Sequence, residues 1–452
     1  MPLERNELQM VNFADFSGGM NVSVAPQFLA ENEYQLIKNF EYDFNRLVTR
    51  GGLSESLADY PSEIKSIFYD EGTRTFLVFL KDGSIYEEDF ATVHNKVGVL
   101  SGSEIPCCCS FDSKVFIASG GLLQYFDYLE HKVETIGGSR ICDLVFERFG
   151  RLVISHKGED NLYYSSVGDA ISDEAWVDDT NVDSSSKWLE IGYKDNGDIV
   201  KVLPIAGDIA VFKSNGNVYM VSGEYPSWTV QLVGKNTDVM NAESITNLGS
   251  TIAWVTSKGL KSLEAVQLYG NFTVNELGRK INKLIEQRVT DASKVFNIQR
   301  KRQLLIQLNG EDESNKLLCY QYDLGAGLEF EFALPIADVI DTQDDVIVAS
   351  GSTLHRWSFD YEDDNGEPIV QELVTREYSS TRQLFTRMVD LGINGVLGGV
   401  IDIRWANKSV KYIVKKARRV LNVFSACRQS ALTLKATNKT ELEYIKLYFF
   451  EK

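Results

Sequence analysis

Histidine is scarce in this chain: the four in 452 residues, His94, His131, His156 and His355, fall in separate stretches. No HExxH or other ligand pair at helical spacing is therefore present, and metal catalysis is not expected. Cysteine is little used. Six occur, three of them consecutive at Cys107, Cys108 and Cys109 and the others at Cys142, Cys319 and Cys427, with no CxxC pair. That pattern fits neither a disulfide framework nor a zinc site, and the expectation is reduced, packed thiols made in a cytosol. No run approaches the ~18 apolar residues that a membrane helix needs. The opening "MPLERNELQM" carries charges where an export signal has its apolar region, so no membrane span and no Sec-type export are expected. Nucleophile and nucleotide motifs are missing as well: there is no GxSxG, no GxxxxGK[ST], and no GxGxxG after a strand. The expectation is a protein that is not an enzyme and has no cofactor.

What is present describes a folded, largely β chain. Hydrophobic residues make up 44% and aromatic residues 11%, enough for a large core and too many for disorder. The length exceeds the roughly 250–300 residues at which a single core stops growing, so the chain has several domains or a repeating architecture. A net charge of −18 is unevenly shared. From Arg376 to Lys452 there are 15 Lys and Arg against 6 Asp and Glu, whereas residues 1–375 hold 31 against 58. An acidic body is joined to a basic tail, and so acidic a body repels phosphate rather than binding nucleic acid.

The dominant pattern is a short apolar strand, a glycine turn and a second strand rich in aromatics. Examples are "TFLVFLKDGSIYEED" from Thr75, "DIAVFKSNGNVYMVS" from Asp208 and "DVIVASGSTLHRWSFD" from Asp345. The turn glycines are Gly83, Gly120, Gly158, Gly216, Gly259, Gly310 and Gly351, spaced 37 to 58 residues apart. That interval matches a four-stranded propeller blade of ~40–50 residues. The fold class expected is all-β: a β-propeller of about seven blades over 61–375, preceded by an N-terminal arm and entry segment over 1–60 and followed by a small basic β domain over 376–452. One inserted helix is expected near 275–293, where Leu277, Ile281, Leu284 and Ile285 recur at helical spacing. In the tail, Lys411, Lys415, Lys416, Arg418 and Arg419 are too densely charged to bury, so they face solvent or a partner.

Propellers often host glycosidases, whose two carboxylates stand about 5–9.5 Å apart, but 64 acidic residues always supply candidates and the abundance carries no signal. The Asp-box repeat of sialidase propellers, WD dipeptides and kelch glycines in register are absent; "SSVGDAISDEAW" from Ser165 is only a loose echo of an Asp-box. The acidic loop from Asp360 to Glu372 suggests calcium, yet its Gly366 lies one place too late for an EF-hand.

The entry segment carries the most specific pattern. Gly18, Gly19, Met20 and Asn21 are followed by Pro26, an acidic-aromatic stretch from Glu33 to Asn39 and Phe40, and an entry with Leu47, Arg50 and Gly52. This resembles the start of tail nozzle proteins of short-tailed bacteriophages, the tail tubular protein B type. The motif covers under a tenth of the chain, and the chain lacks the long insertions between blades of the larger nozzles. A compact variant, or a related tail-hub or head-completion protein, is the corresponding expectation. The resemblance implies a structural protein of the virion tail, synthesised in the bacterial host cytoplasm. Six copies would form a homohexameric ring attached to the head-tail adaptor and other tail proteins. Its lumen would pass DNA without specific binding. It also implies that Gly18, Gly19, Met20, Asn21, Asn39, Arg50 and the basic cluster contact partners, with the glycines letting an arm leave the body. The alternatives are a propeller hydrolase acting on glycans and a tail-tip protein that binds the host receptor.

Overall fold

Residues 8–451 are described by the computed structural model, apart from 92, 139, 157, 178–186, 267–270, 309–314, 343, 396–399, 407, 414–417 and 438. In each repeat the second strand is an almost unbroken apolar run, such as Thr75–Leu80, Asp208–Lys213 and Val346–Ser350. Side chains alternate across a strand, so a continuous run means burial on both faces. Phe76, Val78 and Leu80 enter one core cluster, while Leu77 and Phe79 enter the next.

Seven antiparallel sheets follow one another along the chain. Five are separate four-stranded units, spanning Ile64–Val99, Cys107–Thr135, Leu144–Glu190, Ile199–Gly234 and Ile245–Leu277. A sixth runs from Val295 to Glu331. The seventh takes three strands from Asp338–Ser358 and completes itself with Gly52–Leu53 and Ala58–Asp59 from near the N-terminus. Seven apolar clusters hold these blades pairwise. One joins Phe116 and Ala118 to Val145 and Leu152, another joins Ala210 and Phe212 to Ile252 and Trp254. The ring closes where Ile347, Ala349 and Leu354 of blade 7 meet Ile64, Phe76 and Val78 of blade 1. The protein is a seven-bladed β-propeller with an additional β module. The repeat glycines mark the turn between second and third strands, and Gly83, Gly120, Gly158, Gly216, Gly259 and Gly351 all have positive φ. Gly310, the remaining one, lies outside the described residues.

The C-terminal module is built on two long strands, Gln371–Gly395 and Arg418–Ala436, with Val400–Trp405, Lys408–Ile413 and Thr440–Glu451. Gln371 pairs with Ala436 and Gly395 with Thr440, so the two ends of the 25-residue strand come together. Straight, it would reach about 80 Å. It therefore curls round a core, and its register shifts between Val374 and Glu377, Ser379 and Leu384, and Thr386 and Met388 are where it bends.

Two expectations differ from the structure. The helix is confined to Asn282–Arg288, because Asn275, Glu276 and Leu277 finish a strand of blade 5 and the chain turns at Gly278, φ +60°. Ile281 and Ile285 do pack as their spacing implied, between blades 5 and 6. The N-terminal segment is not a free arm: Gln9–Phe13 pairs with Thr440–Glu451, and Tyr34–Lys38 lies between the outer strand of blade 6 and the long strand Gln371–Gly395. Phe13, Phe16, Tyr34, Ile37, Phe40 and Leu47 are buried in the core shared with the module. The acidic-aromatic stretch forms the strands Tyr34–Lys38 and Phe40–Asp43.

Candidate functional site

The residues of the entry motif gather at the joint between propeller and C-terminal module, where Arg50 is the centre. Its side chain is fully buried, and all of its N–H donors are used. Nε donates to Asn39 Oδ1 at 3.0 Å, Nη1 to Gly51 O and Asp364 Oδ1 at 2.8 and 2.9 Å, and Nη2 to Glu331 O and Asp364 Oδ2 at 2.7 and 2.5 Å. The guanidinium lies 4.0 Å from the ring centroid of Phe332. Asn39 has φ +57°, a conformation that Asn tolerates better than most residues. Its amide donates to Val370 O at 2.7 Å while its oxygen accepts from Glu331 N. One cation thus ties the entry segment, the last strand of blade 6 and the Asp364 turn beyond blade 7. A Cβ on Gly52 would stand 2.0 Å from Asp363 O, which is why the chain needs glycine beside Arg50.

The paired glycines have a similar duty on blade 6. Gly19 has φ +66°, and a Cβ there would meet the Ala326 side chain at 2.7 Å. Met20 N donates to Gly327 O at 2.9 Å and Asn21 N to Tyr34 O at 2.9 Å. Lys280 donates to Gly18 O at 2.8 Å and pairs with Glu33 at 3.1 Å. Burial works to raise the Glu33 carboxyl, but hydrogen bonds from Ala30 N–H, Asn21 and Lys280 hold it below its ordinary range. Gly18, Gly19, Met20, Asn21, Asn39 and Arg50 are all buried within their own chain.

Most side chains of the basic cluster are not among the described residues. Lys411 is exposed on the strand Lys408–Ile413; Lys415 and Lys416 lie outside the described residues, as do the side chains of Arg418 and Arg419 at the start of their strand.

Where the first strands of the second to sixth blades begin, a cavity of about 580 Å³ is edged by Glu104, Asp143, Asp198, Glu243 and Asp291, with Lys201 and Lys294. Carboxylates outnumber ammonium groups there, in keeping with an acidic body. Nearby, burial pushes the Asp338 carboxyl up to about 6 against the pull of Lys294.

Other polar groups serve the fold. His94 and His131 pair with Glu88 and Glu87 at 2.7 and 2.8 Å, and His355 is buried beside Thr353 and Ser54 O. All six cysteines are free, with Cys109 pushed up to about 12 by burial. Among the described residues, no group of three or more His, Cys, Asp or Glu could hold a metal ion. The Asp360–Glu372 loop instead gives Asp364 to Arg50.

Sequence reasoning missed the fully buried Lys213, which donates to Asp195 Oδ1 at 2.6 Å. Burial opposes ionisation of Asp195, yet hydrogen bonds from Lys213, Asn217 and Tyr219 take it down to about 2. The available signal was a lysine ending the apolar run Asp208–Lys213.

No family model matches the sequence, and no curated protein does. Solved structures of similar shape include the extracellular domain of the one component system BT4673 from B. thetaiotaomicron, at TM-score 0.47 and 10% identity, covering 90% of this chain and 63% of that one. BamB from Moraxella catarrhalis gives 0.44 and 9%, covering 71% and 93%. The chain thus spans under two thirds of the first of these. The assignment of seven blades rests on this chain's own strand order and its seven inter-blade clusters.

Proposed function

We propose that the protein is a structural component of a short-tailed phage tail, a compact nozzle or hub whose copies form a ring attached to the adaptor and passing the genome. The observation that carries this reading is the joint around Arg50. The residues that resemble the nozzle family, Gly18, Gly19, Met20, Asn21, Asn39, Arg50 and Gly52, all act at the seams holding the entry segment to blade 6 and to the Asp364 turn. What supports the reading is that these residues work together, in one set of contacts that holds the entry segment to the propeller. The reading rests on these residues, and the structural likenesses contribute nothing to it.

The mechanism is mechanical. A stiff, closed propeller locked to a second module transmits load without deforming, and an acidic surface lets polyphosphate slide past without adhering. Labelling this chain in virions and imaging them tests it: a sixfold ring at the tail is expected. Its absence from purified virions, or hydrolysis of a host polysaccharide by the isolated protein, would turn the reading towards a glycan hydrolase.

A further inference from the structure

Among the described residues, two strand edges of the sheet that contains the C-terminal module are left open at the same level. The rows run from Gln9–Phe13 through Thr440–Glu451 and the second half of Gln371–Gly395 to Arg418–Ala436. Met10 pairs with Tyr448, Tyr448 with Met388, and Met388 with Asn422; in the adjacent row Val11, Leu447, Val389 and Leu421 follow one another. Among the described residues, no strand pairs with the outer side of Gln9–Phe13. Among the described residues, the outer side of Arg418–Ala436 is paired only from Leu432 to Ala436, by Val400–Trp405. Both open edges carry exposed apolar side chains: Leu8 and Met10 are 45% and 52% exposed, Val420 and Phe424 45% and 68%. An edge this long and apolar invites another strand unless it is covered.

We propose that a second copy of this chain covers it, the Gln9–Phe13 strand of one copy adding to the Val420–Phe424 edge of the next. Three features select this occupant. The strand order makes the added strand antiparallel, as the three neighbouring pairs among these four strands are. The alternation agrees, since Val11 and Leu421 both face the core side, so the sheet continues without exchanging its faces. Charge favours the unlike edges: Gln9–Phe13 has no charged residue, whereas two copies of Arg418–Ala436 paired antiparallel would bring arginines against arginines. Each copy then offers one edge and receives the other, a head-to-tail contact that closes into a ring when the rotation allows. The proposal concerns the contact between copies and stands whatever particle the chain works in.

Cysteine pairs test it directly. Met10→Cys is combined in turn with Val420→Cys, Asn422→Cys and Phe424→Cys, keeping the natural cysteines. Within one copy these positions lie three strand spacings apart, about 14 Å, too far for a disulfide to form. Mild oxidation is therefore expected to give a ladder of covalent oligomers with at least one pair, and none beyond the wild-type background with any single variant. A disulfide-free chain for all three pairs, or bridged product at the monomer mass, overturns the proposal. Phe424→Lys with Val420→Lys is a second measure, expected to weaken self-association at least tenfold in sedimentation while circular dichroism stays unchanged. Undiminished association in that variant also overturns it. A ladder from purified protein together with virions lacking a sixfold ring would keep this contact and reject the tail-nozzle reading.

Discussion

Arg50 meets five hydrogen-bond acceptors with its side chain fully buried, and Asp364 beside it has 3% side-chain exposure. A partner removed from such a pair leaves a buried charge uncompensated. Arg50→Met should therefore destabilise the protein by about 3–5 kcal/mol in chemical denaturation, and Arg50→Met with Asp364→Leu should recover part of that loss. Gly19→Val should lower the thermal midpoint too, since it forces a branched residue to φ +66° and drives its Cβ against Ala326. An unchanged midpoint would show that the segment can leave blade 6 without cost. Asp338 gives a pH signature of opposite sign to the usual acidic residue. Its folded value of about 6 lies above the ordinary 3.8, so the folded chain holds the proton more tightly, and stability gained from this group grows as pH falls from about 6 towards 4. Asp338→Asn should remove that slope in unfolding midpoints measured between pH 4 and 7. Asp195, at about 2, acts the other way, its contribution disappearing only as pH falls below the ordinary carboxylate range.

At the level of elements, the seventh blade is the weak seam, being made from two distant parts of the chain. Leu57 N donates to Leu354 O at 2.8 Å and Ser54 N to Arg356 O at 2.9 Å across it. Leu57→Pro removes one of these bonds and leaves a carbonyl of blade 7 unsatisfied, at a cost of about 1–3 kcal/mol. Thermal unfolding should show the whole propeller losing stability together; a loss confined to the module would place the seam elsewhere. The blades were legible in the sequence because each needs a positive-φ turn after a strand buried on both faces, which prints a glycine and an apolar run at a regular interval. The helix was over-read because Leu277 fits a helical spacing while its backbone pairs with Leu260. The bond between Arg50 and Asp364 was beyond reach: 314 residues separate them, and any of 64 acids was a candidate. Local pattern reports turns and burial, whereas a long-range partner leaves no periodic trace.

For the whole molecule, the division between an acidic propeller and a basic module predicts salt-sensitive assembly. If Lys415, Lys416, Arg418 and Arg419 dock on the acidic surface of a neighbour, raising ionic strength from 0.1 to 1 M shortens the screening length from about 10 to 3 Å and should shift assemblies towards monomer in light scattering. Changing those four residues to Glu should abolish association while the chain still folds, and rings that persist would refute the docking. Retardation of DNA by the wild-type protein but not by this variant would assign the cluster to nucleic acid instead. The borrowed strand of blade 7 has a further consequence, which concerns time. Leu53 pairs with Trp357, 304 residues later. At 5–20 residues per second, a ribosome needs roughly 15–60 s to supply the partner. Throughout that interval the first segment has left the ribosome with its apolar side chains and strand edges uncovered, in a crowded neighbourhood of other nascent chains. The ring cannot nucleate from its own beginning; its first residues must wait for nearly its last, and a chain stopped before blade 7 has no closed state available to it.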